Sequence, residues 1–460
     1  MIALTAARIA EVVGGRVVGD DTVLVTAPAV IDSRQAQGGS LFVALVGEHA
    51  DGHDFIDAAA SRGATAALAE REVDSPIALV VVDDAQAALG RLARHVHRQL
   101  TAAGLTTLAL TGSAGKTSTK DLLAHIVEAH GPAVAPTGSF NNELGVPLTV
   151  LRATEQTRYL VIEMGARGIG HVAALCEIAP PDVASVLNVG TAHVGEFGGV
   201  EQIARAKGEI VEALGSDGVA VLNADDPRVL PMSSRTRGRV VTFGTADDAD
   251  VRLAGLTLDE RGFPELLLTR GEESVQVVLP QPGLHHGANA AAAVAMAESA
   301  GVPFADAVAS LASATARSPH RMARYDLHGG ATVVDDAYNA NPESMRAALG
   351  WLAEAAPGRG IAVLGAMLEL GDDADRLHRE LGIAAAGLGL RELIAIGEQA
   401  APMADGAGRI GHRVADVGEA VERVRAALRP GDVVLVKASR GCRLERVVDA
   451  LREPTGHTAQ

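Results

Sequence analysis

Short apolar runs alternate with stretches of helical periodicity from about residue 106 onward. TTLALT (106–111), YLVIEM (159–164), ASVLNV (184–189), GVAVLN (218–223) and RVVTF (239–243) are each followed by a Gly- or Asp-containing turn and then a helical pattern. This alternation predicts a parallel α/β domain. It restarts beyond Pro319 in ATVVDD, IAVLG, ELIAIG and DVVLVKAS, with an Ala-rich helical region and the polar stretch ATARSPHR in between. A boundary is therefore expected near residue 317. Before residue 100 the pattern is mixed, with VVGDDTVLV, LFVALVG and ATAALAE, and predicts a small α/β domain without a phosphate loop. The expected organisation is three α/β domains, 1–100, 101–316 and 317–460, as a length of 460 residues suggests at roughly 150 residues per domain.

One helical stretch carries an anomaly. In VEQIARAKGEIVEALG, Val200, Ile203, Ala204, Ile210, Val211 and Leu214 form an apolar stripe, with Glu201, Gln202, Arg205, Glu209 and Glu212 opposite. Lys207 falls within the stripe. It is read either as a lysine snorkelling from the edge of the core or as a buried functional amine.

Composition narrows the classes of partner. Lysine and arginine total 40 against 57 acidic residues, so the net charge of −17 argues against a nucleic-acid surface or an anionic membrane. An anionic ligand must then be held by local chemistry. MIALTAARIAEVVGG carries Arg8 and Glu11 in an apolar-periodic stretch and reads as an amphipathic helix rather than a leader; ANAAAAVAMA is too short to span a membrane. The two cysteines, Cys176 and Cys442, fit packing roles in a reducing compartment, and a cytoplasmic monomer is expected.

Ligands of open α/β sheets sit beyond the carboxyl ends of the strands. The residues there include Thr111-Gly112, Glu163, Asn188 to His193, Asp335-Asp336, Gly365 and Lys437. In TGSAGKTSTK, a strand leads through Gly112-Ser113-Ala114-Gly115 into a helix opening with Lys116, Thr117 and Ser118. Backbone amides and Lys116 suit nucleotide phosphates there, and the Thr117 hydroxyl suits Mg²⁺. The spacing G-x-x-x-x-G-K-[ST] would require Gly at position 110, which is Leu. Glu163 is read as a second oxygen ligand for Mg²⁺ or as a helix cap or solvated strand end. His193 is read as functional or structural, Arg321 as a phosphate contact or a surface pair, and Asp336 as an acceptor for ribose hydroxyls. Lys437 is a candidate anion contact.

Taken together, TGSAGKT, IDSRQAQGGSLFVALVGEHADGH, FNNELGVPLTVL, VIEMGARGIGHV, NVGTAHVGEFGG, ARAKGEI, VLNADDP, DDAYNANPESM, LGAMLELGDD and VLVKASR resemble the Mur ligase family along essentially the whole chain. That family lacks the extra glycine of the longer phosphate loop. The resemblance implies an α/β fold of three parts: a UDP-sugar domain, a central P-loop ATPase-like domain and a Rossmann-like C-terminal domain. It implies an ATP- and Mg²⁺-dependent ligation of D-alanyl-D-alanine to UDP-N-acetylmuramoyl-tripeptide through an acyl phosphate, with addition of the third amino acid to the dipeptide as the alternative. A P-loop nucleotide switch is the alternative of another class, disfavoured because no N-K-x-D stretch is present.

By the same resemblance, Ser33 and Arg34 lie at the UDP-sugar pocket and Asn141-Asn142 border the reacting substrate. Asn289 faces adenine, Arg321 the phosphates and Asp336 the ribose. Glu163 and His193 complete metal coordination with Thr117. ARAKGEI matches a stretch that carries a carbamylated lysine, which assigns Lys207 a carbamate able to ligate Mg²⁺. Lys116, His193 and Lys207 are the implied catalytic residues, and Lys437 a substrate contact. Four positions depart from the family pattern: Gly38 for Pro, Ser139 for Asn, His286 for Asn and His320 for Gly.

Overall fold

The computed structural model of the protein describes residues 1–453 except 191–196 and 198. His193 therefore lies outside the described residues. Among those described, the strands form three main sheets, of five, nine and six strands, and one two-stranded ribbon. The first main sheet lies within residues 16–81 and is parallel except for Arg16–Val18, which pairs antiparallel with Ala78–Val81. Its strands are short and Ala- and Val-rich because helices and loops cover both faces, leaving little polar alternation.

The nine-stranded sheet positions the phosphate loop. Thr106–Thr111 lies between Val183–Val186 and Tyr159–Glu163, parallel to both. The chain leaves it toward the Ala133–Val134 edge and later returns to the other side, so the loop stands at a point where strand order reverses. Beyond Arg239–Gly244 the sheet continues through Val251–Leu258, Pro264–Arg270 and Glu273–Val278, the last two added antiparallel. Periodicity alone does not isolate these three strands, because charged residues interrupt them and Leu267 and Val278 stay exposed. The Ala-rich helix His286–Ser299 packs against both the sheet and the phosphate-loop helix Lys116–Glu128, and only alanine-sized side chains allow such burial around its circumference. Among the described residues no helix is long and apolar enough to cross a membrane.

In the six-stranded sheet, Thr332–Asp336, Val433–Lys437 and Gly360–Leu364 run parallel side by side. Register places Asp336 opposite Lys437 at the carboxyl ends. The chain enters this sheet through His320-Arg321-Met322, where His320 (φ 59°) and Met322 (φ 52°) take left-handed backbone conformations. Such geometry strains L residues by about 1–2 kcal/mol each, and glycine would be free of it.

Two expectations for the helix Val200–Glu212 resolve here. Lys207 is 5% exposed, so it does not snorkel. Glu209, assigned by periodicity to the polar face, is buried: its carboxylate accepts the backbone N–H groups of Gly170 (2.6 Å) and Ala173 (3.0 Å) at the start of helix His171–Ile178. A neighbouring helix end supplies donors on the side that the periodicity leaves for water.

His97 ties helix Ala85–Ala102 to the central sheet through Nε2 and the Thr107 hydroxyl, 2.8 Å apart. Burial lowers its pKa from 6.5 to about 4. Between these values the unfolded chain binds more protons than the folded one, so stability rises with pH across the window and is lost as pH falls from 6.5 toward 4. Urea unfolding across that range is expected to show this slope, and His97→Gln is expected to flatten it.

Candidate functional site

A cavity of about 1040 Å³ opens where the three sheets meet. Its floor is the phosphate loop. Gly115 takes φ +79°, and a Cβ there would stand 2.4 Å from Asn289 Oδ1, so glycine serves both the backbone turn and the close approach. Asn188 clamps the loop by accepting from the Ala114 N–H (2.9 Å) and donating to its carbonyl (3.1 Å). Lys116 Nζ donates to the Gly112 carbonyl at 2.7 Å. This carbonyl holds the amine across the loop mouth.

Beside the loop, the Glu163 carboxylate accepts from Thr117 Oγ1 (2.9 Å) on one oxygen and from Asn141 Nδ2 (2.7 Å) on the other. Glu163 is buried at its strand end, which sets aside the readings as a solvated end or helix cap. Lys207 reaches the same cavity from the helix behind. Burial, and then the Lys116 charge, push its amine well below the usual lysine range. Lys116 is lowered too, by burial first, with Glu163 opposing and Arg321 adding to the effect.

The C-terminal sheet supplies the far wall. Lys437 Nζ pairs with Asp336 at 2.6 Å and donates to the Asn339 carbonyl at 2.8 Å. Asp335, one residue earlier, points away to His320 Nδ1 (2.7 Å) and the Ala337 N–H (3.1 Å), so it braces the stretch through which the chain enters this sheet. Arg321 stacks on Tyr338, its guanidinium carbon 4.3 Å from the ring centroid, and the Tyr338 hydroxyl meets the Ser139 hydroxyl of the central part. His285 and His286 close the wall behind Asn289. Burial, then Lys437, lowers His285 to about 4; burial, then His285, puts His286 well below the usual imidazole range. Both rings are neutral near pH 7.

Several buried polar atoms here have no hydrogen-bond partner among the described residues: Arg321 Nε, Asn289 Nδ2, His285 Nδ1 and both His286 ring nitrogens. Groups this well desolvated normally find partners, so a polar ligand is the natural complement.

The cavity brings together Gly112, Ser113, Ala114, Gly115, Lys116, Thr117, Ser118, Asn141, Asn142, Glu163, Lys207, Asn289, Arg321, Asp336 and Lys437. Asn289, assigned to the base, has its carboxamide against Gly115 of the phosphate loop. Ser33 and Arg34 do not line the cavity; Ile31 of the same stretch does. Ser33 is buried, while Asp32 caps the short turn and holds the exposed Arg34 guanidinium at 2.8 Å. Arg34, with the Arg34 N–H, keeps the Asp32 carboxyl down at about 2. Tyr338 and His285 escaped sequence reasoning, and Ser139 stands out there only as a departure from the family pattern. The stretch DDAYNANPESM contained a signal for Tyr338 alone, an aromatic residue just beyond a strand end.

Three family models match the chain: "Mur ligase family, catalytic domain" over residues 29–97, "Mur ligase middle domain" over 110–297, and "Mur ligase, glutamate ligase domain" over 320–440. The chain is 44% identical to a UDP-N-acetylmuramoyl-tripeptide–D-alanyl-D-alanine ligase of Mycobacterium tuberculosis over 500 aligned positions, covering 98% of each. It is similar to the crystal structure of MurF from Acinetobacter baumannii, with a TM-score of 0.88, 32% identity, and 98% and 99% coverage of this chain and that one. The MurF ligase of Thermotoga maritima in complex with ADP gives a TM-score of 0.81 at 32% identity, with 93% and 97% covered.

Proposed function

The chain belongs to the Mur ligase family, and on that basis we propose that it joins D-alanyl-D-alanine to UDP-N-acetylmuramoyl-tripeptide at the expense of ATP, in cytoplasmic peptidoglycan precursor synthesis. The observation that carries this reading is the shared cavity. A phosphate loop, a buried carboxylate and a lysine from the central part face Arg321, Asp336 and Lys437 from the C-terminal sheet, with Ile31 at the edge. A nucleotide switch does not require this three-sided enclosure.

In the proposed reaction the terminal carboxylate of the tripeptide attacks the γ-phosphorus of ATP and ADP leaves. The amine of D-alanyl-D-alanine then attacks the acyl carbon, phosphate departs, and the amine proton passes to a base. Two anions must approach each other in the first step, and the side chains supply the countercharge. Lys116 exchanges the Gly112 carbonyl for phosphate oxygens, Arg321 approaches from the opposite wall, and the loop amides orient the transfer. Enclosure between the parts keeps water from the acyl phosphate.

The residues present fit Mg²⁺. Thr117 Oγ1 and Glu163 offer two oxygen donors 2.9 Å apart, and among the described residues no cluster of three or more His, Cys, Asp or Glu side chains forms a cage. That suits an ion held largely by water and phosphate. Bound there, it would neutralise phosphate charge.

Lys207 completes the proposal. Burial, with the Lys116 charge adding to it, lowers the basicity of its amine, and the unprotonated amine is a nucleophile for CO₂: the N–C bond forms, the amine nitrogen releases a proton, and an anionic carbamate beside Lys116 results. Asn141 and Asn142 border the acceptor carboxylate, and Asp336 and Lys437 contact the nucleotide and substrate.

Purified protein is expected to form the amide and release phosphate only with ATP, UDP-muramoyl-tripeptide and D-alanyl-D-alanine together. Phosphate release that ignores both acceptors would count against ligation. Lys116→Ala is expected to lower kcat by about a hundredfold or more with the melting temperature retained, because a positioned charge is lost at the reacting phosphate. For Lys207→Ala we expect loss of activity that short-chain carboxylates partly restore, and intact-mass analysis of the native protein is expected to show one added CO₂. Full activity of that variant without a carboxylate would return Lys207 to a packing role.

A further inference from the structure

Lys120 lies one turn beyond Lys116 on the phosphate-loop helix and does not line the cavity. It is 1% exposed, and none of the ligand chemistry above uses it. Its ammonium donates to the backbone carbonyls of Pro136 (2.8 Å) and Gly138 (3.0 Å) and pairs with buried Asp121 at 2.6 Å. Burying a lysine is costly, and uncharged residues of similar length pack a core as well. What the ammonium adds is direction: it fixes two carbonyls of a segment that has no regular secondary structure.

That segment leads straight into the cavity wall. Ser139 meets Tyr338 of the C-terminal sheet, and Asn141 holds Glu163. The Asn141 carbonyl accepts from Gly165 N–H at 2.7 Å, and Asn142 Oδ1 accepts from Gly145 N–H at 2.9 Å. A Cβ on Gly145 would stand 2.5 Å from the Phe140 carbonyl carbon, so the loop is seated directly on the next helix. Residues 139–142 are therefore anchored downstream by Gly145 and Gly165 and upstream by Lys120. The upstream anchor is mounted on the helix whose first turn bears Lys116 and Thr117.

We propose that Lys120 is a positioning residue for ligation: it locks the 136–142 loop to the phosphate-loop helix, so that acceptor-side Asn141 and Ser139 are registered against the phosphate site. The proposal rests on the reading that Asn141 and Asn142 border the acceptor. It assigns Lys120 no contact with a reacting atom. Its loss should affect acceptor use and chemistry while the first helical turn keeps its grip on nucleotide.

Lys120→Met is compared with Lys120→Met/Asp121→Asn, which leaves no unpaired buried carboxylate and keeps the comparison open if the single variant folds poorly. The expected result is a KM for UDP-muramoyl-tripeptide raised about tenfold or more with a lower kcat, since slight misplacement of a reacting group is costly, while KM for ATP stays within about twofold. Hydrogen exchange in the ligand-free protein is expected to quicken at amides 137–142 and to remain unchanged at 112–118. Unchanged exchange at 137–142, or ATP and acceptor KM values rising in parallel, would overturn the proposal. The exchange measurement needs no substrate, so it still decides if wild-type protein fails to ligate, an outcome that would reject the ligation reading instead.

Discussion

A carboxylate taken out of water must find donors, and Glu163 finds them on two different elements. One oxygen receives the Thr117 hydroxyl from the phosphate-loop helix and the other the Asn141 amide from the irregular loop before helix Gly145–Val150. Ionised and buried, it would be prohibitively costly without those partners. The need to satisfy it brings the end of one strand, the start of a helix and an irregular loop to a common point. That convergence gives the cavity its floor.

Cation crowding is the second organising feature. A chain with a net charge of −17 nevertheless gathers Lys116, Lys207, Arg321 and Lys437 around one cavity. Asp336 pairs with Lys437, Glu163 stands near Lys116, and Glu143 and Glu343 line the same cavity. Burial first, and then Lys116 acting on Lys207 and Arg321 acting on Lys116, depresses the two central lysines, and Arg321 keeps Nε without a partner among the described residues. Such a site suits an anionic ligand in an otherwise acidic molecule.

Contacts between the C-terminal and central parts run along one wall of the cavity. Arg321 lines the cavity from a stretch whose flanking residues, His320 and Met322, sit in strained left-handed conformations. At His320 the imidazole is bound to Asp335, which compensates part of the strain. Across the gap, the hydroxyls of Tyr338 and Ser139 meet.

Much of the central and C-terminal α/β pattern was legible in the residues. Strands such as TTLALT and YLVIEM are continuous apolar runs because helices bury both faces, and glycines mark the turn before Lys116. Lys207 stood out because a cation interrupts an apolar stripe. The outer strands from Val251 to Val278 were not legible, since edge strands mix exposed apolar and charged residues and lose a clean period. Nor was the buried role of Glu209, which depends on a helix end about forty residues away in sequence. Local pattern determined which strands would present chemistry at their ends. Pairings such as Asp336 with Lys437, Ser139 with Tyr338 and Lys120 with the 136–138 carbonyls were decided only by the tertiary structure, because their geometry comes from sheet register and from packing between segments that no local period connects.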